Sequence, residues 1–295
     1  MKHETAEPTG SVVKDSSPSG GLPSSSLPAR IMGVLNVTPD SFSDGGRFWD
    51  ADAAIAHARR LVDEGADIID VGGESTRPGS EPVSAEEQIR RTVPVIRRVR
   101  EFWDGPVSID TTRAAVAVAA CAGGADWIND ISALRDDPEM VRVVADTGSC
   151  VVLMHMQGKP GTMQEQPTYA DVVTEVADFL RERAAFAMAH GVPADRIVGD
   201  PGIGFGKSIA HNLELLRGLP RLTGLGMPLC VGLSRKSFIG RITGADVDGR
   251  LEGSIVGAVC AVQAGAAIVR VHDVQATRRA LLVAQAMGAF ASRPS

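Results

Sequence analysis

The sequence predicts an α/β protein, a single (β/α)8 TIM barrel behind a disordered N-terminal tail. Three observations predict it. Eight short runs rich in Val, Ile and Leu alternate with longer amphipathic stretches. Similar glycine-containing phrases mark several of the junctions from a long stretch to the next run. The chain also turns polar after each run, in a way that folding alone does not require. The rhythm starts at Ile31. Such a barrel takes about 250 residues, so residues 29–290 are expected to form one domain. Residues 1–28, rich in Ser, Pro and Gly, are expected to form the tail.

The apolar runs occupy 31–35, 67–71, 107–110, 127–129, 150–154, 197–199, 229–232 and 268–271. They are continuous rather than alternating, as in strands buried on both faces of a parallel sheet. Helices are expected over 51–64, 84–102, 112–122, 138–146, 171–190, 211–217, 251–264 and 274–287. The first stops at Gly65, a residue suited to the position just past a helix. Ser84-Ala85-Glu86-Glu87 has the form of a capping box. The helix between the third and fourth strands must be brief, because little chain separates them, and it stops at Gly123-Gly124. Pro138 lies near a first helical position. Glu64-Gly65-Ala66-Asp67, Gly123-Gly124-Ala125-Asp126 and Gln263-Ala264-Gly265-Ala266-Ala267 punctuate helix-to-strand junctions alike. Eight repeated units favour closure into a barrel. A doubly wound open sheet is the alternative that the pattern permits.

Composition narrows the function. The formal net charge is -6 with a pI of about 5.6, so a globally basic nucleic-acid surface is excluded. No stretch reaches the roughly 20 apolar residues that span a bilayer, and the N-terminus lacks a signal-peptide core. Cys121, Cys150, Cys230 and Cys260 form no CxxC pair and lie in apolar runs. They read as reduced core thiols of a cytoplasmic protein. Only five of the 30 basic residues are lysine, namely Lys2, Lys14, Lys159, Lys207 and Lys236. In so arginine-biased a chain, lysine is expected where a compact ammonium is required.

In parallel α/β folds the active site lies beyond the carboxyl ends of the strands. There the chain places Asn36-Val37-Thr38-Pro39-Asp40 after the first run and Gly73-Glu74-Ser75-Thr76-Arg77 after the second. Asp110 and then Asn129-Asp130 close the third and fourth. His155 through Lys159, Asp200 through Lys207, Ser234-Arg235-Lys236, and Arg270 with His272 complete the set. Taken singly these residues are weak signals, since an Asp after a strand is commonly a helix cap. Gly204-Phe205-Gly206-Lys207 is no P-loop, because position 201 is proline. Gathered at one barrel end, Arg77, Arg235, Lys236, Arg270 and His272 point to an anionic small ligand such as a phosphate. Asp110, Asn129 and Asp200 suit a flat heterocycle with several N–H donors.

The same segments carry a resemblance. Residues 31–46, with Asn36-Val37-Thr38-Pro39-Asp40-Ser41-Phe42-Ser43-Asp44-Gly45-Gly46, resemble the first signature of the dihydropteroate synthases. Residues 65–79, with Gly73-Glu74-Ser75-Thr76-Arg77-Pro78-Gly79, resemble the second. Asp200-Pro201-Gly202-Ile203-Gly204-Phe205-Gly206-Lys207, Ser234-Arg235-Lys236-Ser237-Phe238 and Arg270-Val271-His272-Asp273 follow in matching order. The resemblance implies a barrel, often a homodimer, in folate synthesis. It would join 6-hydroxymethyl-7,8-dihydropterin pyrophosphate to 4-aminobenzoate with Mg2+ assisting pyrophosphate departure, and sulfonamides would compete for the aminobenzoate site. Small-molecule substrates, and neither nucleic acid nor membrane, are the expected partners.

Carried over by position, the resemblance puts Asp110, Asn129, Asp200 and Lys236 around the pterin ring. Asn36, Arg270 and His272 fall around the pyrophosphate, with Asn36 the protein ligand of Mg2+. Thr76, Arg77 and Pro78, with Phe42 and Phe205, would shape the aminobenzoate pocket, and Ser234 would take its carboxylate. Arg77, Lys236, Arg270 and His272 are the expected catalytic group. Cations are plentiful and no Ser-His-Asp or Cys-His nucleophile set is visible. A dissociative reaction is therefore expected, in which the C–O bond breaks first and the aniline nitrogen captures a methylene cation. The loops after the first and second runs would close to exclude water.

Two rival readings make different demands. A methyltetrahydrofolate-binding methyltransferase domain should lack the long first loop and the Ser75-Thr76-Arg77-Pro78-Gly79 segment. A non-catalytic pterin-binding paralogue would keep Asp110, Asn129 and Asp200 while losing residues such as Asn36, Arg77 or His272. Here all are present.

Overall fold

The computed structural model of the protein describes residues 27–38, 51–75 and 82–290. The tail expected over 1–28 falls outside these residues up to position 26, and Leu27 is already buried in the core. Eight parallel strands run in chain order: β1 Arg30–Asn36, β2 Ile68–Gly72, β3 Val107–Asp110, β4 Trp127–Asp130, β5 Cys150–Met154, β6 Ile197–Asp200, β7 Cys230–Gly232 and β8 Ile268–Val271. Successive strands pair from β1 to β6, β7 pairs with β8, and β8 pairs with β1. The β6–β7 seam is narrower. It is a single bridge between Gly199 and Leu229, with the Gly199 N–H donating to Pro228 O at 2.9 Å. That seam closes the barrel and disposes of the open-sheet alternative.

The runs lack polar alternation because both faces are covered. Met32, Ile68, Trp127, Cys150, Val152, Val198, Cys230 and Ile268 fill the lower barrel interior. The opposite strand faces, with residues such as Ile31, Ile69, Val151 and Val231, pack under the surrounding helices. Those helices are α1 Ala51–Asp63, α2 Ala85–Arg100, α3 Ala114–Ala122, α4 Met140–Thr147, α5 Val172–Ala189, α6 Ile209–Arg217, α7 Leu219–Thr223, α8 Ser237–Thr243, α9 Leu251–Gln263 and α10 Val274–Ala286. The two short ones, α7 and α8, are unanticipated. Both are too brief to show an apolar period. The helix expected to be brief, α3, has nine residues.

The repeated junction phrases fold alike. Gly65, Gly124 and Gly265 take φ values of +94°, +113° and +96°. In each case the glycine N–H bonds three residues back and the next alanine N–H five residues back, the Schellman closure of a helix. The aspartate that follows the first two then caps a strand start. Asp67 Oδ2 accepts the Ile31 N–H at 2.8 Å, and Asp126 Oδ2 accepts the Val107 N–H at 3.0 Å. One four-residue phrase thus ends a helix and fixes the base of the preceding strand.

The caps hold one surprise. Ser84 does cap α2 and accepts the Glu87 N–H, but the Glu87 carboxylate is taken by Arg90 and Arg91, so only half of the expected box forms. A full box opens α6, where Ser208 and His211 bond each other reciprocally and start the helix two residues earlier than expected. An imidazole nitrogen serves there as the acceptor that Glu or Gln usually supplies.

Candidate active site

The pairing register decides which side chains meet at the mouth. Asn36, Gly72, Asp110 and Asn129 are successive partners across β1 to β4. Gly72 leaves room in this row. A Cβ there would lie 3.5 Å from Asn36 Oδ1 and 3.9 Å from Asp110 Oδ2, so the amide and the carboxylate share the space above it. Asp200 ends β6 and Arg270 rises from β8 opposite Gly232. Together Asp110, Asn129, Asp200, Phe205, Lys236 and Arg270 line one pocket at the mouth, completed by apolar residues including Ile131, Met154 and Ile203. Six of the residues expected to bind substrate are therefore brought into one chamber. Ser234 and His272 stand beside it and are bonded to each other. Phe42, Thr76, Arg77 and Pro78 lie outside the described residues, as do the loops 39–50 and 76–81 that were expected to close.

The chamber is organised by a buried ion cluster. Arg270 Nε donates to Asp70 Oδ2 at 2.7 Å and its Nη2 to Asp110 Oδ2 at 2.9 Å. Asn129 Nδ2 donates to the same Asp70 oxygen at 3.2 Å. Asp70 was not among the expected site residues, although it is fully buried at the centre of β2. A signal was available, because a carboxylate inside an otherwise apolar strand must face a cation or lose its charge. Burial raises the Asp110 pKa, with Asp70 adding to the rise and Arg270 opposing it. The two carboxylates in turn hold Arg270 firmly charged despite its burial. The two acids use one proton of Nε and one of Nη2, so the guanidinium keeps three N–H donors for an incoming anion.

On the other wall, Asp200 Oδ1 accepts the Gly202 N–H at 2.7 Å. Burial raises its pKa while that bond and Lys236 lower it. Lys236 Nζ sits 4.1 Å from the centre of the Phe205 ring, a cation–π contact. Burial pulls Lys236 down to about 8 against the attraction of Asp200, which leaves it mostly charged at neutral pH.

Two strained turns lie after strands of the mouth, one of them beside Lys236. Arg235 adopts φ +58°, a left-handed conformation that costs a non-glycine residue free energy. Its N–H is taken by Ser254 Oγ, its carbonyl by Arg250, and its guanidinium by Asp273 through two bonds. The chain reversal sets Ser234 and Lys236 on either side of it. After β4, Ala133 and Leu134 are likewise left-handed. The Asp130 carboxylate binds Ser132 and the Leu134 N–H, and Arg183 binds both carbonyls.

Ser234 Oγ accepts the His272 backbone N–H at 3.2 Å and lies 3.0 Å from Nδ1. The consistent assignment has the hydroxyl donating to Nδ1, which puts the ring proton on Nε2. Burial, then Arg270 and Arg235, lowers the His272 pKa to about 4. The ring is neutral at physiological pH and offers a hydrogen-bond donor at Nε2.

Among the described residues no three His, Cys, Asp or Glu side chains form a metal-binding group. The mouth offers the Asn36 amide oxygen, close to Asp110. That donor set fits a Mg2+ carried in with phosphate oxygens and water better than a resident ion.

A closed parallel barrel whose mouth sets carboxylates and an amide against buried cations defines a small-molecule enzyme for a nitrogen-rich anion. The profile of the family described as pterin binding enzyme matches residues 32–272. A dihydropteroate synthase of Neisseria meningitidis serogroup B is 51% identical over 267 residues, covering 88% of this chain and 93% of its own length. A Xanthomonas albilineans dihydropteroate synthase solved with 4-aminobenzoic acid superposes with a TM-score of 0.84 at 50% identity, covering 89% of this chain and 94% of that one. A structure of the enzyme from that organism with 7,8-dihydropteroate gives a TM-score of 0.81 at 47% identity, covering 89% and 95%. The chain belongs to the dihydropteroate synthases, which are transferases.

The His272 ring, followed by NMR in the empty protein, is expected to titrate near 4 rather than near its ordinary 6.5. Its folded pKa is depressed, so the unfolded chain binds the proton more readily. Stability from this residue is therefore present above pH 6.5 and lost as pH falls through 4. His272→Gln should flatten that fall by at most about 3 kcal/mol. A midpoint close to 6.5 would contradict the assignment.

Proposed function

We propose that the mouth binds 6-hydroxymethyl-7,8-dihydropterin pyrophosphate and 4-aminobenzoate and forms 7,8-dihydropteroate with release of pyrophosphate. The observation that carries the reading is the chamber that sets Asp110, Asn129 and Asp200 against Lys236 and Arg270. A pterin presents an amino group and ring N–H donors on one edge, which carboxylate and amide oxygens accept, and ring acceptors that Lys236 reaches. Asp200 and Asn129 would hold the donor edge. Lys236, stacked on Phe205, would bind the ring's acceptor side, and Phe205 would also face the aminobenzoate. Ser234, released from His272, would take the aminobenzoate carboxylate. Phe42, Thr76, Arg77 and Pro78 keep their proposed places around that second substrate on the strength of the sequence resemblance.

The chemistry asks for stabilisation of a departing, multiply charged pyrophosphate more than for a strong base. Arg270, anchored by Asp70 and Asp110, points its remaining N–H donors at the pyrophosphate, and neutral His272 donates from Nε2. When bound, Mg2+ would add charge neutralisation on the leaving group, held on the protein side by Asn36. With the leaving group stabilised, the C–O bond breaks with its electron pair going to pyrophosphate, the aniline nitrogen attacks the pterin-stabilised methylene cation, and the anilinium formed gives up its proton to pyrophosphate or water. Water would compete for the cation, so an enclosed chamber favours the amine.

We further propose a cytoplasmic homodimer. Its support is a set of exposed apolar side chains on consecutive helices, Ile242 on α8, Val256 on α9 and Leu282 and Val283 on α10, with Met287 just after it. Val256 and Met287 are 62% and 80% exposed, and covering them in a dimer would remove apolar area from water.

Mixing the protein with dihydropterin pyrophosphate, 4-aminobenzoate and Mg2+ is expected to release pyrophosphate only when all three are present, and a sulfonamide should suppress it. Tight pterin binding without release would favour the non-catalytic paralogue. Sedimentation equilibrium should give twice the 30.9 kDa chain mass. A monomer at micromolar concentration would remove the dimer proposal.

A further inference from the structure

Lys207 closes the Asp200–Lys207 motif, yet it does not line the chamber. Its side chain is 2% exposed, and its ammonium sits 2.9 Å from His155 Nδ1, 3.0 Å from Gly202 O and 2.9 Å from Phe205 O. An ammonium has three donors, and these acceptors match them, with His155 O more distant at 3.4 Å. Burial lowers the Lys207 pKa to about 7, with Asp200 opposing the fall; the charged form donates to Nδ1, which puts the neutral His155 ring's proton on Nε2. Burial and Lys207 favour that state, holding the ring's pKa near 2. The imidazole is wedged edge-on against Phe179, with centroids 4.8 Å apart.

The two loops joined by this ammonium are also pressed together by backbone. Gly202 has φ +64°, and a Cβ on it would fall 1.9 Å from His155 O. Gly206 has φ +58°, and its Cβ would fall 2.3 Å from Gln157 O. Tyr169 Oη donates to Gly206 O at 2.8 Å. The loop after β6 therefore lies directly on the loop after β5, and Lys207 reaches back over it to grip both. Asp200 begins the gripped segment and Phe205 lies near its end.

We propose that Lys207 is a positioning residue: by clamping the loop after β6 onto His155, it presets Asp200 and Phe205 for the pterin. The assignment rests on the reading above that Asp200 and Phe205 face substrate. Lys207 does not touch substrate itself, since it is enclosed and its donors are spent. A compact ammonium with three rotatable donors suits three converging acceptors better than the fixed planar fork of Arg. This explains why an arginine-biased chain keeps a lysine here.

The test is binding of dihydropterin pyrophosphate with Mg2+, without 4-aminobenzoate, by calorimetry on the full chain. Lys207→Met is expected to weaken binding about tenfold or more. If Lys207 acts through Asp200, the same change made in an Asp200→Asn background should cost less than about threefold further. Binding by Lys207→Met within about twofold of the unaltered chain, or an equal loss in both backgrounds, would overturn the proposal. Should Lys207→Met not fold, His155 supplies the second comparison. His155→Asn keeps an acceptor near the Nδ1 position and should bind nearly normally, whereas His155→Leu should lose about tenfold. Equal binding by those two would overturn it as well. Failure of the unaltered chain to bind the pterin would instead defeat the reading of the site on which the proposal stands.

Discussion

Arg270 is held inside the barrel mouth by Asp70 and Asp110, and the rest of the site is arranged around that cluster. A guanidinium with 23% of its side chain exposed cannot stand alone in so enclosed a place. Stripping one partner from a buried pair costs about 3–5 kcal/mol. The barrel answers with a carboxylate on β2 that is fully buried and another on β3 that is nearly so. The cluster leaves the cation fixed, charged and only partly satisfied, which is the condition an anion-binding arginine must meet. Asn129, tied to the same Asp70 oxygen, is oriented by the arrangement that orients Arg270.

The opposite wall is built by a different device. Asp200, Lys236 and Phe205 sit on loops, and loops hold precise geometry only when their backbones are otherwise engaged. Left-handed turns at Arg235, Gly202 and Gly206 supply the reversals, and side-chain caps fix them. Ser254 and Arg250 bind the Arg235 backbone, and Lys207 fills the acceptors around Gly202 and Phe205. Strain is concentrated where the chain must present consecutive residues to one chamber, and the helices and strands beneath carry little of it.

The barrel was legible because its cause is local. Continuous apolar runs, glycine stops and the Gly-Ala-Asp phrase each have a direct structural reading, and the phrase proved to combine a Schellman closure with a strand cap. The short helices α7 and α8 were not legible, since five and seven residues are too few to show an apolar period. The Ser208–His211 box was missed because histidine is not the usual partner. Within the site, the polar residues at the strand ends were readable as a set, and the family resemblance gave them roles. Asp70 escaped notice because its importance lies in a partner 200 residues away in sequence. Lys207 was visible through the scarcity of lysine and as the end of the Asp200–Lys207 motif, but its role was not, since its acceptors come from two loops that sequence alone does not bring together.

The central claim is that the buried carboxylate of Asp70 positions Arg270 for the leaving group. Asp70→Asn tests it most directly, because the amide keeps the size and removes the charge. With circular dichroism unchanged, the account predicts that kcat/KM for dihydropterin pyrophosphate falls about tenfold to a hundredfold. A folded Asp70→Asn protein with kcat/KM unchanged or higher would show that Arg270 does not depend on this anchor, and would contradict the account.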